Sequence, residues 1–279
     1  MCGISGIVDL REKRPVNQSL LRDMNDSLTH RGPDGEGFHF EPGVGLGHRR
    51  LSIIDLEGGK QPLYNEDETV VVTYNGEIYN FKDLVTELQA KGHVFRTHCD
   101  TEVIVHAWEE WGTACVDRFN GMFAFALWDR NRETLFLVRD RVGIKPLYYA
   151  YLPDGQLVFG SELKAVMHNP AVPRDLEPTA IEDYFTFGYV PEPRSIYKAV
   201  HKLEPGTFLC AQRGKQFPEP VRYWDVPLDA APGNNGSFDD VCSELRDQLK
   251  ASVNRRLVAD VPLGAFLSGG IDSSAVVAM

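Results

Sequence analysis

Short runs of β-branched and aromatic residues recur through the first three-quarters of the chain, and most are bounded by Gly, Pro, Asn or Asp. Runs of this kind are typical of β-strands that end in turns. They predict strands over Ile4–Leu10, Val44–His48, Val70–Tyr74, Met122–Trp128, Thr134–Arg139, Leu147–Tyr151, Leu157–Gly160 and Thr207–Ala211. Such a series of short strands limits the chain to a fold that is built around β-sheets.

Three stretches between these strands carry apolar residues at helical spacing: Gln18–Leu28, Phe81–Lys91 and Thr101–Trp111. The second stretch ends before Gly92, which stands where glycine is favoured just after a helix. Helices separated by groups of antiparallel-type strands favour layered α and β structure over a simple winding of parallel βαβ units. We therefore expect an α+β fold.

The composition changes near residue 225. Residues 225–237 are rich in Pro, Gly and Asn and have little to bury, which is typical of a linker. After them, Phe238–Arg256 has the apolar stripe of an amphipathic helix, and Val261–Leu267 predicts a strand. A Gly/Ser-rich loop and a helix that begins at Ala275 follow. We predict a domain over residues 2–220, a linker over 221–237 and the start of a second domain over 238–279.

The charge balance excludes some partners. The 279 residues include 29 Lys and Arg against 40 Asp and Glu, which gives a net charge of −11. A chain this acidic has no general attraction to phosphate backbones or anionic lipids, and its basic residues form no stripe. The N-terminus lacks a secretory signal pattern, and the longest apolar run is far too short to cross a bilayer. We expect no nucleic-acid partner and no membrane partner.

The cysteines point to a reducing compartment. Five cysteines, an odd number, are spread widely along the chain, which argues against a disulfide scaffold and for the cytoplasm. His93, His98 and Cys99 lie close together, but no spacing typical of a zinc site supports them. We therefore expect no metal site.

Cys2 is the first candidate for chemistry. Removal of Met1 would leave a cysteine that carries both a thiol and a free α-amine, and an α-amine is partly unprotonated near neutral pH. The amine could then act as the base for the thiol, as in N-terminal nucleophile enzymes. A cysteine at position 2 without a catalytic role is the alternative.

Asn75 and Gly76 allow two interpretations. An Asn-Gly pair between β-type residues is typical of a hairpin turn. Alternatively, the Asn side-chain N–H and the Gly backbone N–H could both point at one developing oxyanion.

Arg50 and Asp100 are similarly open. Arg50 could be a solvated surface residue or a bidentate clamp for an α-carboxylate. Asp100 could cap the following helix, with Thr101 as its first residue, or could hold the α-ammonium of a substrate. The His30–Gly35 segment is first of all a turn.

Taken together, these segments resemble a known family in their order and spacing. They are similar to the class II glutamine amidotransferase domain of glutamine-hydrolysing asparagine synthetases, and the run Ser268–Ser274 resembles the pyrophosphate loop that opens the synthetase domain. The resemblance implies a four-layer αββα N-terminal nucleophile fold, followed by the first helix, strand and loop of an α/β ATP-pyrophosphatase domain. The matching segments are Met1–Ile7, His30–Asp34, His48–Ser52, Tyr74–Asn80, Asp100–Glu102 and Arg139–Tyr149.

The resemblance also implies roles for individual residues. Cys2 would attack the side-chain amide of L-glutamine, while Asn75 and Gly76 would hold the oxyanion. Arg50 would bind the α-carboxylate of glutamine, and Glu77 and Asp100 would contact its polar α-end. The glutamine pocket would also be lined by Leu51, Ile53 and Ile54.

In the second segment, the resemblance implies an ATP-binding loop. ATP with Mg²⁺ would serve the full-length synthetase, whereas the glutaminase half would need no cofactor. The helix N-terminus and the hydroxyls of such a loop suit an anion. The implied ATP contacts are Leu267, Ser268, Gly269, Gly270, Asp272 and Ser273.

Most of the synthetase domain is absent from the 279 residues, so we expect this chain alone to hydrolyse glutamine and not to make asparagine. ATP and L-aspartate are expected partners only where the missing region is present, and a homodimer is left open. Two alternatives remain: an amidotransferase that acts on another carboxylate acceptor, and a non-catalytic regulatory module that needs a separate synthetase partner.

Overall fold

Antiparallel strands dominate the first part of the molecule. The computed structural model describes residues 1–228 and 236–279, so residues 229–235, in the middle of the predicted linker, lie outside the described residues. The strands are Gly3–Asp9 (β1), Gly35–Glu41 (β2), Val44–Arg50 (β3), Leu63–Tyr64 (β4), Val70–Ile78 (β5), Gly121–Asp129 (β6), Thr134–Arg139 (β7), Tyr148–Tyr151 (β8), Gln156–Gly160 (β9), His201–Lys202 (β10), Thr207–Gln212 (β11) and Val221–Arg222 (β12).

Helices flank these strands and also form the C-terminal segment. Within the described ranges, none of them is both long and apolar enough to cross a membrane. They are Gln18–Asp26 (α1), Phe81–Ala90 (α2), Glu102–Trp111 (α3), Cys115–Arg118 (α4), Leu163–Met167 (α5), Pro178–Phe187 (α6), Phe238–Arg255 (α7) and Ile271–Ala278 (α8), with a 3₁₀ turn at Gly112–Ala114.

In the part of the chain that the structure describes, the strands form two six-stranded sheets. The first has the order β10-β8-β9-β1-β3-β2, and the second has the order β12-β11-β7-β6-β5-β4. All the strand pairs are antiparallel. Strand β1 is central to the first sheet and β5 lies beside β6 in the second, so the chain start and the Asn75 strand belong to different sheets.

Three apolar cores show how the layers stack. One core joins the inner faces of the two sheets, with Ile4 of β1 and Ala124 of β6 among its fully buried members. A second core packs α2 and α3 on the outer face of the second sheet. A third core packs α1 and α5 on the outer face of the first sheet. The order of layers is therefore helix, sheet, sheet, helix, which confirms the predicted αββα fold.

A polar contact joins the two sheets at the end where β3 finishes. Burial lowers the pKa of His48 in β3 to about 3, so its ring is neutral at physiological pH. Its Nε2 lies 3.0 Å from the backbone oxygen of Tyr74 in β5, which fixes the Nε2–H tautomer as the donor. This hydrogen bond holds the ends of β3 and β5 together.

The pattern-based predictions hold for the helices and strands of the first part. Each predicted strand is present within a few residues, and the three predicted helices begin and end close to their expected bounds. The elements that were not predicted are strands β2, β4, β10 and β12 and helices α4, α5 and α6. Strand β2 carries two glycines and two glutamates, so its apolar alternation is weak, and its pairing with β3 defines it instead.

The C-terminal segment differs from its prediction in one element. Helix α7 is present, and Ser237 forms a capping box with Asp240 at its start. The strand predicted over Val261–Leu267 is wrong, because these residues have no regular structure. A strand is defined by its hydrogen-bonded ladder, and no described strand pairs with this run. Helix α8 begins at Ile271 rather than at Ala275.

The residues after α7 lie against the first domain. The backbone N–H of Asp260 donates to the oxygen of Ile53 at 2.8 Å, and the Asp260 carboxylate accepts from the N–H of Asp55 at 2.7 Å. The guanidinium of Arg256 lies 4.5 Å from the centre of the Tyr79 ring, a cation–π distance. These contacts place the C-terminal segment beside the loop that follows β3.

Candidate active site

Cys2 lies at the head of β1, next to the end of β3. Gly3 pairs with Arg49 of β3. Arg50, the last residue of β3, and the loop after this strand therefore lie beside the thiol. The Cys2 sulfur lies 3.4 Å from the backbone nitrogen of Leu51 and 3.6 Å from its oxygen. The Nε of Arg31 donates to the Cys2 backbone oxygen at 2.9 Å. The backbone and the thiol of Cys2 are therefore both held in place.

The thiol opens into a cavity of about 130 Å³ between the ends of the two sheets. All the residues predicted for the glutaminase site line this cavity, although they come from four separate parts of the chain. They are Cys2, Arg50, Leu51, Ile53, Ile54, Asn75, Gly76, Glu77 and Asp100.

The Asn75 side chain is buried without a partner. Asn75 pairs with Ala124 and Gly76 pairs with Phe123 inside the β5–β6 ladder, so the hairpin-turn interpretation of this dipeptide is wrong. Only 1% of Asn75 is exposed, and neither its Nδ2 nor its Oδ1 makes a hydrogen bond with a described residue. A buried amide left unpaired costs free energy that a bound ligand can recover.

Gly76 is required by close packing. A Cβ added at this position would lie 2.3 Å from the backbone oxygen of Met122 and 2.7 Å from the Cα of Phe123. A larger residue would therefore push β5 away from β6. Glycine keeps the backbone of β5 at the cavity wall, with Asn75 and Glu77 on either side.

Arg50 is buried, so its interpretation as a surface residue is wrong. Its Nη1 donates to the oxygen of Leu56 at 2.8 Å, and its Nη2 donates to the oxygen of Asp55 at 2.6 Å. A longer bond of 3.3 Å reaches the oxygen of Ile54. The guanidinium therefore holds the loop after β3 in a curve around the cavity. Arg50 itself also lines this cavity.

Asp100 does not cap the helix that follows it. Helix α3 begins at Glu102 with Thr101 at its N-cap, and Asp100 faces β5 instead. Its carboxylate accepts from the Tyr74 hydroxyl at 2.7 Å and from the Ile78 N–H at 2.9 Å. Burial raises the pKa of Asp100, and these two hydrogen bonds oppose the change.

Glu77 is a carboxyl group in the cavity whose surroundings make it a weaker acid than usual. Burial and the neighbouring Asp100 carboxylate raise the pKa of Glu77 to about 7, against the lowering effect of Lys145 and Arg256. Glu77 and Asp100 thus place two acidic groups on one side of the cavity. Such a pair suits a cationic group, because a bound ammonium would offset the repulsion between them.

The thiol needs a base at neutral pH. Burial raises the pKa of Cys2, and the hydrogen bond from Leu51 opposes this only in part. Burial also lowers the pKa of the neighbouring amino group, which in this structure belongs to Met1. That amine stands in for the α-amine that Cys2 itself carries once Met1 is removed. A weakly basic amine beside a protonated thiol is the arrangement that activates an N-terminal nucleophile.

Several residues at the site were not predicted from the sequence. Arg31 was assigned to a turn, although its guanidinium also forms an ion pair with Glu162 at 3.0 Å. Gln61 accepts from the Tyr74 N–H at 2.7 Å and holds the second sheet at the cavity. Lys145 is buried in the cavity wall, where burial lowers its pKa. Arg31 stands in the conspicuous His-Arg-Gly-Pro-Asp run and Lys145 in the family-like run Arg139–Tyr149, whereas Gln61 has no local signal.

The predicted ATP residues lie apart from this cavity. They lie in the turn before α8 and in the first turn of that helix. The hydroxyls of Ser268 and Ser273 lie 2.9 Å apart, and the Gly270 N–H donates to Ser268. Gly269 has a φ of +80°, in the region that favours glycine. The turn is exposed, with 60% of Leu267 accessible.

Two facing antiparallel sheets between helix layers, with a partly buried thiol at the head of a central strand, define an N-terminal nucleophile type of amidotransferase domain. The same fold occurs in glutamine phosphoribosylpyrophosphate amidotransferase from B. subtilis, with a TM-score of 0.57 and 19% identity over 80% of this chain and 49% of that one. A second structure, of the allosteric regulatory enzyme of purine biosynthesis, has a TM-score of 0.56. At these identities, the likeness concerns the fold.

The chain belongs to the family of the glutamine amidotransferase domain, whose profile matches residues 1–224. Residues 244–279 match the asparagine synthase family. The chain is 40% identical to the glutamine-hydrolyzing asparagine synthetase 3 of Bacillus subtilis, over 100% of this chain and 45% of that protein. It is 37% identical to the glutamine-hydrolyzing asparagine synthetase of Zea mays, over 99% of this chain and 41% of that protein. The chain thus spans less than half the length of these two relatives, and the family resemblance of the sequence is confirmed.

Proposed function

We propose that this chain hydrolyses L-glutamine to glutamate and ammonia, with Cys2 as the nucleophile. The observation that carries the proposal is that one cavity holds both a fixed, partly buried thiol and a buried amide that makes no hydrogen bond with a described residue. A thiol can form a thioester with an acyl group, and an amide N–H can stabilise the oxyanion that forms on the way.

The reaction runs in two halves. The Cys2 sulfur forms a bond to the side-chain amide carbon of glutamine, and the α-amine of Cys2 takes the thiol proton. The oxyanion is held by the Asn75 Nδ2–H and the Gly76 N–H until the C–N bond breaks, and the amine returns its proton to the leaving ammonia. Water then attacks the thioester with the amine as base, which releases glutamate and restores the thiol.

The rest of the cavity would hold the polar end of glutamine. Arg50 would bind the α-carboxylate while it keeps contacts to the loop, since a guanidinium has five N–H donors. Glu77 and Asp100 would bind the α-ammonium. The backbone of Leu51, Ile53 and Ile54 would close the pocket on the side of the loop.

The direct test is a glutamine hydrolysis assay on the purified chain, with intact mass measured on the same sample. We expect slow release of glutamate and ammonia from molecules that have lost Met1. Molecules that retain Met1 should be inactive, since their Cys2 carries no free amine. Equal activity in both forms would rule out the proposed base.

Glu77 predicts a pH dependence of glutamine binding. Because its carboxylate forms only as the pH rises through about 7, the KM for glutamine should rise about tenfold when the pH is lowered from about 8 to about 6. Glu77→Gln should raise KM at pH 8 and remove most of this further rise. The matched control is Glu57→Gln in the exposed loop after β3, which should follow the wild type. An unchanged acid dependence in Glu77→Gln would contradict the role of Glu77.

We further propose that the ammonia serves an ATP-dependent amidation of L-aspartate in a protein that contains the rest of the synthetase domain. The turn at 268–273 fits a phosphate group, because it presents backbone N–H groups at the start of α8 together with two serine hydroxyls. ATP with Mg²⁺ would supply the activation of the carboxylate when bound there. Leu267, Gly269 and Asp272 would lie beside it, while the glutaminase half would need no cofactor.

The proposal also includes the cellular compartment and the oligomeric state. The five cysteines are all free in the structure, which fits a protein that works in the reducing cytoplasm. A homodimer remains a proposal that size measurement in solution would test.

A further inference from the structure

A second group of chemically active side chains lies where α3 meets the segment after α2 and the turn between β4 and β5. We propose that it is a binding site for a zinc-class divalent cation, separate from the Cys2 cavity and formed by Glu66, His93, His106 and Glu109. Glu66 lies between β4 and β5, His93 follows α2, and the other two residues are one turn apart on α3. The site would join three segments that are distant in sequence.

The distances between the ligand atoms suit a small four-coordinate cation. His106 Nδ1 lies 3.3 Å from Glu109 Oε2 and 3.5 Å from Glu66 Oε2. His93 Nδ1 lies 3.8 Å from Glu109 Oε2 and 3.8 Å from Glu66 Oε1. Zn²⁺ bonds of about 2.0–2.2 Å put the ligand atoms of a tetrahedron about 3.3–3.6 Å apart. All four ligand atoms lie within 4.8 Å of one another, so side-chain rotations alone would bring them to the spacing of a tetrahedral site.

Both imidazoles have a carboxylate on the side that faces away from the proposed cation. His106 Nε2 lies 3.6 Å from Glu102 Oε1, and His93 Nε2 lies 3.7 Å from Glu110 Oε2. Histidines that ligate metals commonly donate their other N–H to such a carboxylate, which fixes the tautomer and strengthens the ligand. The same arrangement at both histidines distinguishes this group from an ordinary surface ion pair.

The carboxylates around the two rings are themselves fixed. Glu102 accepts from the backbone N–H groups of Arg96 and Thr97, and the Val94 N–H donates to Glu66 at 2.9 Å. Glu109 accepts from the Asn65 amide at 2.7 Å. Ordering of this kind lowers the entropic cost of binding, because the ligand side chains already occupy their bound positions.

The local charge and burial also favour a dication. Four carboxylates surround the two imidazoles. Two cations lie nearby: Lys91 pairs with Glu110 at 2.6 Å, and the Arg96 guanidinium donates to the backbone oxygen of Glu66 at 2.7 Å. His106 is fully buried, and its Nε2 makes no hydrogen bond with a described residue at normal distance. His93, Glu66 and Glu109 are partly exposed, which leaves a route for a cation from solvent. Alternatively, a proton on His106 balances part of the negative charge of the carboxylates. A measurement of metal binding distinguishes a bound cation from this proton.

The test is titration of the chelator-stripped, full-length chain with Zn²⁺ by calorimetry near pH 7.5. We expect one equivalent with a dissociation constant below about 1 µM, which is still weaker than a structural zinc finger. His93→Gln and Glu109→Gln should each weaken binding about 100-fold or more. The controls are His168→Gln, which changes an exposed histidine elsewhere, and Cys2→Ala, which removes the cavity thiol; both should bind as the wild type does.

Wild-type binding weaker than this limit, or unchanged binding in His93→Gln, would overturn the proposal. Far-UV circular dichroism checks that each variant is folded. If a variant fails to fold, the visible spectrum of the Co²⁺-loaded wild type decides the matter. A spectrum of four-coordinate nitrogen and oxygen ligation supports the site, whereas a thiolate-to-metal band would place the cation at a cysteine and refute it.

Discussion

Cys2→Ala should reduce glutamine hydrolysis to the level of the buffer. The variant keeps the α-amine and the cavity but lacks the sulfur that forms the thioester, so the first half-reaction has no nucleophile. For comparison, removal of a nucleophile from a comparable catalytic unit costs about 10⁶-fold in kcat. Ammonia release, measured at saturating glutamine on samples whose intact mass shows loss of Met1, reports this directly.

The matched control for Cys2→Ala is Cys242→Ala. Cys242 lies on α7, outside the cavity, and its replacement should leave the rate of hydrolysis unchanged. Circular dichroism and thermal unfolding establish that both variants are folded. A Cys2→Ala protein that retains a tenth or more of the wild-type rate would mean that the thiol is not the nucleophile.

Asn75→Ala is expected to have the second-largest effect. Loss of one oxyanion donor lowers kcat about 10²–10³-fold, and because the oxyanion exists only in the transition state, KM should change little. Steady-state kinetics with glutamine separate the two constants. The exposed Asn254→Ala on α7 is the control and should keep both.

Thermal unfolding separates this role from a structural one. The Asn75 side chain makes no hydrogen bond with a described residue, so its removal leaves no partner unsatisfied. Asn75→Ala should therefore melt at or above the wild-type temperature while it loses activity. A marked loss of stability together with a proportional loss of activity would instead indicate that Asn75 supports the strand.

The layered fold could be predicted because its strands carry their own signals. Runs such as Met122–Trp128 and Thr134–Arg139 are apolar on both faces, as strands between two cores must be. The run Val261–Leu267 is also largely apolar, but it contains Pro262 and Gly264, which weaken a strand, and it has no described neighbour with which to pair. Local composition indicates that a segment could be a strand, whereas a ladder depends on the rest of the sheet.

The candidate site was predictable only in part, for a similar reason. Cys2, Arg50 and Asn75 stand in distinctive runs, so their convergence on one cavity could be expected from the family resemblance. The contact of Asp100 with Tyr74 could not, because an Asp before a helix is equally consistent with an N-cap.

Some contacts depend on the fold alone. Only the fold brings Lys145, from the run Arg139–Tyr149, to the cavity. The same is true of Glu66 and His93, which precede His106 by 40 and 13 residues and meet it only because α3 packs beside them. Tertiary packing creates such groups, and no periodicity records them.

The most direct measurement of the central claim is covalent labelling with a glutamine analogue that carries an electrophile in place of its side-chain amide. The account predicts one label per molecule, blocked by glutamine and located by peptide mass spectrometry on the peptide that begins with Cys2. Cys99 lines the same cavity and is the natural competitor, although burial raises the pKa of its thiol. A label on Cys99, or labelling of Cys2 that glutamine does not block, would contradict the account.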